Sequence, residues 1–177
     1  MYTEYAIRRA ILATTGFALI AACYIFFYAS WSGELVPLLI FYGVLIANTF
    51  FSIRCFASIT PPKNVPQRLL DWTLGTLMVL LALTLDNASK FTFLAALLFA
   101  VATYKYVRLK SLIGQRRLLR RKIVIDSWGL LACALAYSGI FWGNAFFTTW
   151  LWAISFVLAN VYLFFFRPLY KLPGKIS

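Results

Sequence analysis

The chain has 177 residues, 63% of them hydrophobic and 12% charged, and its 17 Lys+Arg against 5 Asp+Glu give a formal net charge of +12. A soluble domain carries about a quarter charged residues, so this composition excludes an ordinary water-soluble globule and points to a bilayer as solvent. Histidine is absent, and Cys23, Cys55 and Cys133 lie far apart without CxxC spacing. The commonest general acid/base is therefore missing, and the cysteines read as small buried hydrophobes, with no disulfide framework, metal site or cofactor implied.

Six apolar stretches approach the roughly 20 residues that carry a helix across the ~30 Å hydrocarbon core. The first, Ala10–Ala29, follows Arg8 and Arg9. Its "IAAC" (Ile20–Cys23) resembles a lipoprotein cleavage box, but "YIFFYASW" continues the apolar run beyond it, which predicts an uncleaved first helix. The second is Leu35–Ile53. "TPPKNVP" (Thr60–Pro66) follows, where three prolines forbid a continuous helix and predict an ordered or semi-rigid connector. Leu69–Leu85 and Phe91–Val107 are the third and fourth, at the short end of the spanning range. Ile123–Phe141 and Ala145–Phe166 complete the set. The expected fold is an all-α membrane protein of three helical hairpins, about 10–53, 69–107 and 123–166, forming one polytopic domain.

Orientation follows from the basic residues. The turns Ser30–Glu34, Asp86–Lys90 and Trp142–Asn144 hold one of them, Lys90, and the other sixteen fall on the opposite side. The positive-inside rule then places both termini in the cytoplasm, in what reads as a bacterial inner membrane. Tyr28, Trp31 and Trp142 are predicted at the outer interface, and Trp72, Trp128 and Tyr162 toward the inner one.

The densest charge is "RLKSLIGQRRLLRRK" (Arg108–Lys122), with seven basic residues and no acidic one. It contains no aromatic residue, as nucleic-acid binding would favour, so no nucleic acid is expected. It reads as a basic cytoplasmic loop whose Arg108, Lys110, Arg116, Arg117, Arg120, Arg121 and Lys122 meet anionic lipid on the cytoplasmic leaflet, at about 1 kcal/mol per cation. An acidic protein is the second reading.

The hairpins share features. "RLLDWTLGTL" (Arg68–Leu77) and "KIVIDSWGLL" (Lys122–Leu131) each offer a basic residue, Asp, Trp and Gly in similar order, and "RRAILATTGF" (Arg8–Phe17) keeps the basic pair and the Gly. The closing helices "IANTFFSIR" (Ile46–Arg54), "VATYKYVR" (Val101–Arg108) and "LANVYLFFFR" (Leu158–Arg167) set Ala beside Asn or Thr before an Arg. Repetition of one unit is a known way to build membrane folds. In these openings and in its spacing the chain resembles the small bacterial membrane proteins of the HdeD type, linked to acid resistance. That resemblance implies a class of protein and supplies no site.

Asp71 and Asp126 lie at predicted helix starts, where the helix dipole favours an anion; Arg68 and Lys122 stand at spacings that permit local ion pairs. Glu34 and Asp86 fall in turns and read as solvated. Asn48, Thr103 and Asn160 occupy matching repeat positions and read as interhelical glue worth about 0.6 kcal/mol each. The alternative is a polar ring around a three-fold pathway. Gly129, Ala132, Ala136, Gly139 and Gly143 form one small-residue stripe that lets another backbone approach, in this chain or in a second copy.

No catalytic pattern occurs, so the expected function is non-enzymatic: a small accessory or stress-related membrane protein acting through helix packing and lipid or protein contacts. A small transporter or oligomeric channel lined by Asn48, Thr103 and Asn160 is the alternative. A homo-oligomer and an unrelated membrane subunit are both open as partners.

Overall fold

The computed structural model describes residues 2–57, 65–112, 116–167 and 169–170. Six α-helices, α1 (Tyr2–Phe27), α2 (Leu35–Phe56), α3 (Val65–Ala82), α4 (Ala88–Lys110), α5 (Arg116–Phe141) and α6 (Ala145–Val161), make an all-α fold, and a π-helical turn (Tyr162–Phe166) extends the last. Five are long and apolar enough to cross a membrane: α1 from Glu4, α2, α4, α5, and α6 through Phe166. The exception is α3, whose apolar run is diluted by Gln67, Arg68 and Asp71. These features are those of an integral membrane protein.

Helix boundaries depart from the apolar stretches in a consistent way. The polar ends belong to the helices: α1 takes in Arg8 and Arg9, α4 runs on to Lys110, and α5 starts at Arg116 instead of Ile123. Lys and Arg are good helix formers, so the backbone does not stop where the hydrocarbon-loving sequence stops. The basic stretch is thus no loop of 108–122, since most of it forms the facing ends of α4 and α5. Val65 and Pro66, read as connector, open α3, where proline is tolerated because first-turn N–H groups lack helical partners. The rest of that connector, and residues 113–115 of the basic stretch, lie outside the described residues.

Each helix closes a ring with its neighbours, in the order α1, α2, α6, α5, α4, α3 and back to α1, with α4 and α5 packed most extensively. Three-fold repetition of a hairpin would instead set α2 beside α3 and α6 beside α1. Here α1 meets α3, and α2 meets α6, so the first helix pair is reversed relative to the other two.

The middle of the ring is filled. Phe41 of α2 stacks on Trp152 and Phe156 of α6, with ring centroids 3.9 Å and 4.0 Å apart, and meets Phe91 of α4 edge-on. Tyr42 reaches α3, where its hydroxyl donates to the Met78 carbonyl at 2.9 Å. Leu35, Leu38, Leu81, Leu85 and Ala95 complete this core. The outer surface is apolar on every helix, from Leu12 and Phe26 to Leu80, Phe93, Leu135 and Leu158. Tyr28, Trp31, Trp72, Trp128, Trp142 and Tyr162 are all exposed on that perimeter.

The small-residue stripe of α5 divides. A Cβ at Gly129 would stand 2.8 Å from the Phe99 ring of α4, and one at Gly139 2.7 Å from the Thr148 hydroxyl of α6. Ala136 is buried between them, whereas Ala132 is exposed. Gly143 does not belong to the stripe: it follows the end of α5 with φ +86 and open space around it, a turn position that glycine adopts without strain. The stripe therefore packs within the chain, against α4 and α6.

Replacing Phe41 with Ala should remove about 3–5 kcal/mol of stability, read by denaturant unfolding in mixed micelles. Leu12→Ala on the perimeter should stay within about 0.5 kcal/mol. Gly129→Val should cost about 1–3 kcal/mol by overpacking against Phe99.

Candidate functional site

Apolar packing gives way at the basic end to a cluster of charged and hydroxyl side chains. It begins on α5, whose buried positions Leu119, Lys122, Asp126, Cys133, Ala136 and Ile140 recur at helical spacing. Lys122 and Asp126 thus share the phase of the core, while Arg116, Arg117, Arg120 and Arg121 fall on the exposed side. The Lys122 ammonium donates to Asp126 Oδ1 at 2.6 Å, with the two side chains 6% and 1% exposed. Lys122 was expected to meet lipid; it faces inward because a buried carboxylate one turn away holds it there.

Tyr106 of α4 stands over this pair. The ammonium groups of Lys122 and Lys105 lie 5.6 Å and 5.5 Å from its ring centroid, within the range of cation–π attraction. Its hydroxyl is 2.7 Å from that of Ser52 on α2. Lys105 in turn reaches Asp71 of α3 at 2.7 Å, and Arg9 of α1 holds the other carboxylate oxygen at 3.2 Å. The local pair expected between Arg68 and Asp71 is replaced by these longer-range partners, because the ring brings α1 and α4 to either side of α3. The Asp71 and Asp126 ion pairs meet at the Tyr106 ring, over which both Lys105 and Lys122 lie. At the opposite end Asp86 is not merely solvated: Tyr24 donates to it at 2.7 Å.

The chain after α6 closes the cluster. Tyr170 donates to the side-chain oxygen of Asn48 and packs among Phe51, Phe56 and Phe164. Burial pushes its phenol well above the ordinary range, and Asp126 and Cys55 add to the shift, so the group is neutral and free to donate.

The three repeat positions are not equivalent. Asn48 is buried and engaged by Tyr170. Asn160 is buried but turns its amide back to the Phe156 carbonyl of its own helix at 2.9 Å. Thr103 is half-buried beside the buried Ala102, and its hydroxyl oxygen lies buried without a hydrogen-bond partner. Asn160 Oδ1 and Asp126 Oδ2 share that condition. Of the seven basic residues read as lipid contacts, Arg108, Lys110, Arg116, Arg117, Arg120 and Arg121 are exposed. Lys110 and Arg116 line a shallow cleft with Val107 and Ser111.

Sequence reasoning passed over Ser52, Lys105, Tyr106 and Tyr170. For Tyr106 a signal was present: it lies on the inward phase set by Ala95, Leu98, Ala102 and Leu109. Scanned against protein-family models the chain matches none, and neither a search of curated proteins nor one of solved structures finds a match.

The Lys122–Asp126 pair yields a thermodynamic prediction. Asp126→Asn, which strands a buried ammonium, should cost about 3–5 kcal/mol. Replacing both partners with Met and Leu should cost less than either single change. A double-mutant cycle of unfolding in micelles reads this, and additive losses would contradict it.

Proposed function

We propose that the chain is a non-enzymatic inner-membrane protein of accessory or stress-related type, acting through its helix packing and its contacts with anionic lipid. Its six helices cross the bilayer as three hairpins, with both termini and the basic end in the cytoplasm. In this arrangement α3 also spans, its Asp71 neutralised by Arg9 and Lys105.

The observation that carries this reading is the division of the surface. The perimeter is apolar on every side, and six exposed cations, Arg108, Lys110, Arg116, Arg117, Arg120 and Arg121, project from the neighbouring ends of α4 and α5. Such a patch suits phosphate head groups of the cytoplasmic leaflet. The aromatic filling of the ring speaks against the transporter alternative, as does the engagement of Asn48 by Tyr170 and of Asn160 by its own helix.

Native mass spectrometry of protein released gently from its membrane tests the proposal. The expected spectrum is a protein carrying anionic lipid, with the lipid lost when Arg116, Arg117, Arg120 and Arg121 are changed to Gln. An unrelated subunit bound in place of lipid would redirect the patch to a protein partner. A lipid-free oligomer of fixed size, with flux abolished by Asn48→Leu, would overturn the reading in favour of a pore.

A further inference from the structure

The described residues after α6 leave the α-helical pattern of the rest of the molecule. The π-helical turn ends at Arg167, whose φ −131 and ψ 71 take the chain out of helix. The chain then folds back: the Leu169 N–H donates to the Leu163 carbonyl at 3.2 Å, and Leu169 is buried. Arg121 of α5 donates to the Arg167 carbonyl at 3.3 Å, pinning the bend from the side. Tyr170 then enters the basic end of the ring between α2 and α4, against the apolar group of Cys55, Phe56, Tyr106, Leu109 and Leu119.

We propose that Leu169 and Tyr170 form a latch that closes the basic end of the ring over the buried Lys122–Asp126 pair, and that its opening admits water to Asn48, Ser52, Tyr106 and that pair.

Three observations carry this. The closure has a built-in hinge, since the chain leaves helical geometry at Arg167, two residues before Leu169. Its polar anchor is a bond between neutral groups, the phenol with Asn48, and water replaces such a bond in kind. What it covers gains from hydration: Asp126 Oδ2 is buried without a hydrogen-bond partner, and a buried charge is the group that benefits most from solvent. Opening thus exchanges apolar burial of two side chains for solvation of an ion pair, and the two terms oppose each other as a two-state element requires. The latch shares Arg121, at the bend, with the lipid-binding patch, and its other contacts are with Asn48, Leu163 and the apolar group around Cys55.

The native cysteines report on it. Cys55 is buried beside Tyr170, Cys133 is buried in the core away from it, and Cys23 is exposed. The experiment uses the full chain with Cys23→Ser, in lipid nanodiscs, and follows labelling of Cys55 and Cys133 by a charged, water-soluble maleimide. Cys55 should label measurably faster than Cys133. Tyr170→Ala, which removes both the hydrogen bond and the packed ring, should raise the Cys55 rate by at least about tenfold, with Cys133 unchanged. Tyr170→Phe, which keeps the ring and drops the hydroxyl, should fall between. Equal, negligible labelling of both cysteines in the parent would overturn the latch, since the closure would then be permanent. An unchanged Cys55 rate in Tyr170→Ala would overturn it too. A parallel rise at Cys133 would do the same, marking Tyr170 as a support of the whole bundle.

Discussion

The buried ion pair between Lys122 and Asp126 is the contact around which the basic end is organised. Two charges withdrawn from water are tolerated only where each has its partner and further polar neighbours. Here the pair has one short bond of 2.6 Å, a tyrosine ring against the ammonium, and hydroxyls on α2 and α4 close by. Those neighbours come from different helices, so the pair fixes how α2, α4 and α5 meet. Buried polar contacts of this kind add little net stability against an apolar alternative, and their best-attested use is to specify register. The extensive packing of α4 on α5, with Gly129 fitted beneath Phe99, depends on that register: a slip of one residue would carry Lys122 away from Tyr106 and place a side chain against the Phe99 ring.

The second constraint is volume. Phe41 lies between Trp152 and Phe156 while touching Phe91, so one side chain of α2 ties α4 and α6 together through the centre. Large flat rings fill a six-helix ring that smaller residues would leave open. The same filling explains the reversed first pair. Turning it round puts α2 between α1 and α6, where Phe41 meets α6 and Tyr42 still reaches the Met78 carbonyl of α3.

What the sequence revealed follows from which forces are local. Apolar runs located all six helices to within a few residues on their hydrophobic sides, because lipid solvation acts residue by residue. The polar ends were misread, because charge says where the membrane stops and not where the helix does. The Lys122–Asp126 pair was legible, being set by one helical turn. Asp71 was not: its partners Arg9 and Lys105 lie on other helices, and choosing them over Arg68 required the ring order. The repeat suggested that Asn48, Thr103 and Asn160 were equivalent. Their fates differ because a ring with one pair reversed does not present equivalent positions to equivalent surroundings.

Along α5 one run of charge faces in two directions. On α5 the inward phase runs through Leu119, Lys122 and Asp126, and the outward phase through Arg116, Arg117, Arg120 and Arg121. Composition treats these cations alike, whereas helix geometry sorts them, since residues three and four apart share a face. The one lysine on the core phase has a carboxylate four residues on, and the four arginines on the other side have none within reach along the helix. Arginine is the more weakly hydrated and offers a planar fork suited to phosphate; lysine is a compact point charge that fits a single carboxylate oxygen. The choice of side chain at each position therefore agrees with the direction each one faces.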